Sequence, residues 1–357
     1  MNTKGLKHKF LTMMCAGCGL AAFLTSCENG NKEFDDYEGG TTVYFAYQTP
    51  VRTIVLGDDD YDLTLDHAHK CQIQATFGGS YNGSDGMVVI AVDPTLVNNL
   101  TFADGSAVKA MPTSYYQLSG NTLSFNGSFK GTTEVQLTDA FFNDPDAVKN
   151  TYVIPVVMTS QTGFGKILSG TAKEGGSGVR TDETAWDVQP KDYMLYCVKF
   201  QNKYSGWWLT NGNTSIDNIE KASTVQLTTL SLNTCKYTVA YTRDYHAKTY
   251  DAAGNEVEKV EKRVLSCDLL LTFDANEKCT ISSLTPGYTA SGTGQWADDS
   301  EKKAWNNKDR DGLELNYTVD FGTDDYGNAI DKGSTHEKMV WERSGVSFEE
   351  FTPVYNN

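Results

Sequence analysis

From Thr41 onward, apolar and polar residues alternate over short runs separated by turn residues, the period-two signature of strands with one dry face. Val43 and Phe45 alternate with polar neighbours, as do Cys71, Ile73, Ala75 and Phe77, then Val135 and Leu137, then Tyr152, Ile154, Val156 and Met158. Met87 to Val92 is a continuous apolar run and predicts a strand buried on both faces. Tyr81-Asn82-Gly83, Ser119-Gly120-Asn121 and Asn126-Gly127 supply the chain reversals. Residues 41–162 therefore read as an immunoglobulin-like β-sandwich. A Gly/Ser/Thr-rich stretch at 163–190, without apolar period, reads as a linker.

Residues 191–357 predict a second all-β domain. Cys235 to Tyr241, Leu265 to Phe273 and Leu313 to Phe321 each place apolar residues at every second position. Asp251-Ala252-Ala253-Gly254-Asn255 lies between the first two runs and reads as the turn of a long hairpin. One wet and one dry face throughout suits an antiparallel meander, closed into a barrel or folded into a sandwich.

The amino-terminal segment carries an address. Lys4, Lys7 and Lys9 precede an uncharged apolar stretch from Phe10 to Leu24, too short for a bilayer core of about 30 Å, so residues 1–26 read as a signal peptide. Leu24-Thr25-Ser26-Cys27 has the form of a lipobox, with Cys27 as the acceptor of lipid, whereas Cys15 and Cys18 lack the upstream Leu. Several acyl chains, at about 0.8 kcal/mol per buried CH₂, make such anchorage stable. Residues 27–40 are polar and acidic and read as a flexible tether.

Composition narrows the function mainly by exclusion. The net charge of −16, from 46 Asp plus Glu against 30 Lys plus Arg, argues against nucleic acid as partner. Ser177 lies in a Gly-rich stretch without the spacing of a nucleophile elbow, no phosphate loop is present, and the His-Glu-x-x-His pattern is absent. His67, His69 and Cys71 would share one face of a strand, but Asp66 and Gln72-Ile73 favour a loop entering a strand with Cys71 in the core. Asp58, Asp60 and Asp62 have the spacing of a calcium loop's first ligands, but Leu63 and His69 stand where that loop needs Gly and Glu, so they read as an acidic hairpin loop. No metal or cofactor is expected. Cys71, Cys235 and Cys267 fall on apolar faces and read as small hydrophobes.

All six Trp lie beyond residue 185. Trp207 and Trp208 are adjacent, so on a strand one faces inward and the other outward. Sugars stack their C–H faces on exposed aromatic rings while neighbouring amides take the hydroxyls. Tyr204, Trp207 and Trp208, with Trp296, Trp305 and Asn306, are accordingly the candidate glycan-binding residues, and the first domain reads as a spacer.

Several stretches resemble a Bacteroidetes family of two-domain lipoproteins of unknown function. Val43-Tyr44-Phe45-Ala46, Leu65 to Cys71, Met111 to Tyr116 and Leu137 to Phe142 resemble its first domain, domain of unknown function 1735. Pro190 to Tyr193 and Trp305 to Asp311 resemble the companion domain 4361. The resemblance implies a lipoprotein of the outer membrane, on the cell surface, working in polysaccharide utilisation beside a TonB-dependent transporter. It supplies no catalytic residues, so a non-catalytic glycan-binding component is expected. The alternatives are a structural or adhesive surface lipoprotein and a glycoside hydrolase.

Overall fold

The computed structural model describes residues 35–214, 219–330 and 333–356. Cys27, the signal peptide and most of the tether lie outside the described residues. The chain is all-β: a curled sheet comes first and a closed barrel follows.

In the first domain, hydrogen bonding runs without a break through a 12-stranded sheet. Phe45, Ile73, Ile90, Phe125, Ile154 and Phe200 pack into one core inside the curl. The two layers expected of a sandwich are thus the two halves of one sheet folded over itself. Met87–Val92 points Val88, Ile90 and the half-buried Val92 into this core, and Met87 is 43% exposed. The expectation of burial on both faces fails there because Met87 and Ala91, on the outer side of that strand, are left exposed.

Burial on both faces belongs instead to Tyr193–Gln201, where every residue from Tyr193 to Val198 is buried. This strand pairs antiparallel with Tyr152–Thr162 and parallel with Pro50–Val55, opposing Cys197 to Val153 and Val51. Met194, Tyr196 and Val198 face the inner core. Tyr193, Leu195 and Cys197 face an outer core with Leu100, Phe102 and Phe351. The domain boundary expected at 163–190 is therefore corrected. The first sheet extends to Gln201, and the supposed linker contributes Lys166–Ile167 beside Thr42–Val43. Its Gly and Ser content reflects turns between short strands rather than a free joint.

The barrel is an eight-stranded antiparallel meander running from Gly206–Thr214 to Gly333–Arg343. The alternating residues point inward as expected: Cys267, Leu269, Leu271, Leu315 and Val319 form its core with Trp208 and Trp341. The Asp251–Asn255 segment closes the long hairpin, with Tyr250 opposite Glu256. Gly206 has φ +126°, and a Cβ there would meet the Arg343 carbonyl oxygen at 2.6 Å, so the barrel entrance requires Gly.

After the barrel, the chain returns to the first domain. Glu349–Glu350 pairs with Pro50–Val51, and Val354–Tyr355 pairs with Leu100–Thr101. The barrel is thus an insertion between two strands of one sheet. Phe351 is 7% exposed and packs on Phe102 with ring centroids 5.0 Å apart. Phe351→Ala should therefore lower the stability of the first domain by about 3 kcal/mol in urea unfolding. An unchanged midpoint would show that the tail does not belong to that core.

Candidate functional site

The barrel takes most of the expected glycan-binding aromatics into its interior. Trp208 is completely buried and donates its indole N–H to the Tyr204 carbonyl at 3.1 Å. Tyr204 stacks on Phe273 at 3.7 Å, and its hydroxyl donates to Glu277 at 2.7 Å. Trp296 is 6% exposed, meets Tyr204 edge-on, and carries the Lys203 ammonium 4.3 Å above its ring. These three rings belong to the barrel's hydrophobic core. Trp207 is the outward member of its pair, but Arg343 lies 5.4 Å above its ring and Gly345 packs on its edge. Asn306 and Asn307, both at positive φ, form the two-residue turn that pairs Trp305 with Lys308. The Asn residues there serve the turn; the Trp305 side chain lies outside the described residues.

The histidines do not converge on Cys71. His67 ends a short helix and its Nε2 bonds the Gly57 carbonyl at 2.9 Å, whereas His69 turns away at φ +56° onto Phe142. Cys71 is buried, and burial pushes its thiol up to about 12.

An open cleft of about 610 Å³ lies instead on the first domain. Its rim carries Tyr47 and Phe348, 51% and 64% exposed, with ring centroids 4.8 Å apart and planes tilted by 53°. Tyr47 sits in the connection between the first two strands, pinned by Gln48, whose side chain donates to the Phe45 carbonyl at 2.7 Å. Phe348 sits on the segment returning from the barrel, so the rim exists only because that segment comes back. Gln72, Gln74 and Lys130 border the cleft, and Lys130 has no ion-pair partner among the described residues. Arg52 also borders it, but its guanidinium is held by Asp66 and by the Thr53 carbonyl. Met194, Tyr196 and Cys71 form the floor, where burial keeps the phenol and the thiol neutral. Sequence reasoning missed this site because it followed Trp. The available signal was Phe348 between Ser347 and Glu349; Tyr47 follows Tyr44, Phe45 and Ala46 and carries no such mark.

A second feature lies where the domains meet. The loop after Pro50–Val55 reaches the barrel, where Asp60 pairs with Lys308 at 2.8 Å and Arg310 at 3.1 Å. Asp62 instead caps the Thr64 amide, so the three evenly spaced Asp do not share one centre. Asp311, 3% exposed, faces this junction. Burial, aided by the charges of Asp58, Asp298 and Asp299, pushes its carboxyl up to about 7. Burial, ahead of Asp299 and Asp298, also raises that of Asp58.

Comparison with known proteins places the chain in a family. Residues 203–345 match the model of domain of unknown function 5627, where the resemblance had pointed to domain 4361. Residues 36–165 match a model described only as an N-terminal domain. The crystal structure of a protein of unknown function from Bacteroides ovatus is 30% identical, covering 90% of this chain and 100% of that one, with a TM-score of 0.71. The chain belongs to the family of this Bacteroides ovatus protein, a two-domain Bacteroidetes protein of unknown function. A multidomain Bacteroides ovatus protein including domain 1735 is 10% identical over 86% of this chain and 96% of that one, with a TM-score of 0.35. Another Bacteroides ovatus protein, described as "a putative carbohydrate binding protein", is 16% identical over 84% of this chain and 80% of that one, with a TM-score of 0.29. Superposition at those two scores says nothing about this chain's ligand. No curated protein matches.

The raised Asp311 carboxyl sets a pH dependence with a definite sign. Folded Asp311 releases its proton near 7, against 3.8 for an ordinary Asp, so folding favours the protonated form. This contribution is complete below pH 3.8 and is lost as pH rises through 7. In metal-free buffer, urea unfolding should show the protein losing stability between about pH 5 and about pH 8, with a smaller loss in Asp311→Asn. Equal slopes for the two proteins would refute this.

Proposed function

We propose that the protein is a non-catalytic glycan-binding lipoprotein of a polysaccharide-uptake system, held on the outer membrane through lipid on Cys27. The observation that carries this reading is the Tyr47–Phe348 cleft: two exposed rings set at an angle, beside two amides and the Lys130 ammonium. Rings of this kind offer flat apolar faces to sugar C–H groups, and Gln72, Gln74 and Lys130 are placed for hydroxyls or a uronate carboxylate. The open shape suits a chain entering from the side better than a small molecule enclosed on all sides. The binding face is thus assigned to the first domain, in place of the barrel aromatics. The lipobox supports the anchor, the acidic segment at 27–40 supports a tether, and a transporter of the TonB-dependent class rests on the family resemblance alone.

Affinity gels containing a panel of polysaccharides test the ligand. Tyr47→Ala and Phe348→Ala should each abolish retardation with little change in melting temperature, whereas Trp207→Ala should be retarded like the parent. Retardation retained by both cleft variants would move the site elsewhere. If no polysaccharide retards the parent, the adhesive reading replaces this one, and steady release of reducing sugar would establish a hydrolase.

Metabolic labelling with a fatty acid tests the anchor. The parent should take up label and Cys27→Ala should not; label on that variant would overturn the lipid assignment. Protease shaving of intact cells then reports which membrane face carries the protein.

A further inference from the structure

We propose that the junction between the two domains binds one divalent cation of the calcium type, ligated by Asp58, Asp298 and Asp311. One carboxylate oxygen from each residue can be chosen so that all three lie within 4.8 Å of one another. The residues come from different parts of the molecule. Asp58 lies on the loop that follows Pro50–Val55 of the first domain, and Asp311 lies on the barrel strand Lys308–Asp320. Asp298 stands in a bulge of the strand Thr289–Trp305. There Ala297 pairs with Gly312 and Glu301 with Arg310, so residues 298–300 oppose Asp311 alone. The extra residues bend the strand towards the first domain, and the Asp299 amide donates to Asp311 Oδ1 at 3.0 Å.

The neighbouring cations are committed elsewhere. Lys308 and Arg310 hold Asp60, and Lys203 holds Glu277 at 2.6 Å. Three carboxylates therefore meet at a cavity of about 330 Å³ with no lysine or arginine ion-paired to any of them among the described residues.

An independent feature of the same cavity points to a bound, hydrated species. Trp296, which lines it, is 6% exposed, and its indole N–H is buried without an acceptor among the described residues. A buried donor left unsatisfied costs about 1–3 kcal/mol, so its retention is explained if a water in the cavity, outside the ion's first shell, accepts it. The ligand set selects among metals. His67 and His69 also line the cavity but are held on the Gly57 carbonyl and on Phe142, and the three carboxylates favour a hard cation over zinc or copper. An irregular site with one side open to water suits calcium, whose shell holds about 6–8 oxygens, better than the strict octahedron of magnesium. The ion would join the first domain to the barrel at the point where the Asp58 loop already touches it. This assignment stands independently of the glycan reading.

Terbium is a suitable probe, because Trp296 lies close enough to sensitise its emission. Titration of the purified protein should give saturable terbium luminescence that calcium displaces. Asp311→Asn and Asp298→Asn should each weaken calcium competition roughly tenfold or more. Asp104→Asn, at an exposed turn far from the junction, should match the parent. Calcium should raise the melting temperature of the parent and not that of Asp311→Asn. In chelator Asp311→Asn should be at least as stable as the parent, since it removes a repelling charge. No saturable emission in the parent, or calcium competition and a calcium-induced melting shift preserved in a folded Asp311→Asn, would overturn the site.

Discussion

The parallel pairing of Tyr193–Gln201 with Pro50–Val55 is the contact on which the rest of the molecule depends. Parallel strands need long crossovers, and here everything between Leu56 and Asp192 forms the intervening connection, including most of the first sheet. Because the strand is dry on both faces, its two sides must each be covered. The inner side closes the curled core, and the outer side is closed by Phe102 and by Phe351 from the far end of the chain. Both connections of the barrel therefore leave from and return to the same pair of strands.

That arrangement also decides where chemistry can occur. Val55 is followed at once by the acidic loop, so the pairing delivers Asp58 and Asp60 to the barrel. The buried carboxylate of Asp66 accepts the Val55 amide at 2.8 Å and pairs with Arg52, fixing the base of the loop. Burial raises the Asp66 carboxyl while these donors oppose the rise. Removing Arg52 would leave a buried charge without its partner, which costs more than the pair contributes. On the other side, the returning segment sets Phe348 against Tyr47. The cleft and the acidic junction are thus two consequences of one strand pairing.

The barrel interior follows a different logic. Trp208, Trp296, Trp341 and Tyr204 gather in its core, where Trp208 and Trp341 donate to the Tyr204 and Ser205 carbonyls and Trp296 meets Tyr204 edge-on. In the same interior, Glu337 accepts hydroxyl donors from Tyr237 and Tyr317, each at 3.1 Å, so a polar plug is satisfied without a cation. Aromatic abundance in the barrel is therefore a packing requirement. Tyr47 and Phe348 stand exposed in connections, where neighbouring strands do not claim them.

Alternation by itself determined that the chain is all-β, which residues of Cys235 to Tyr241, Leu265 to Phe273 and Leu313 to Phe321 face inward, and where the long hairpin turns. It did so because a strand pairing against one dry core has no other way to place its side chains. The adjacency of Trp207 and Trp208 likewise determined that one points in and one out. Tertiary structure alone decided that Tyr193–Gln201 lies in the first sheet, because partner choice depends on what remains uncovered after the other strands have paired. It also decided that Trp296 lies in the barrel core, that Tyr47 meets Phe348 across 301 residues of sequence, and that Asp58, Asp298 and Asp311 converge. Such meetings carry no local pattern. Each is fixed by the closure of the sheet and barrel, which no window of sequence contains.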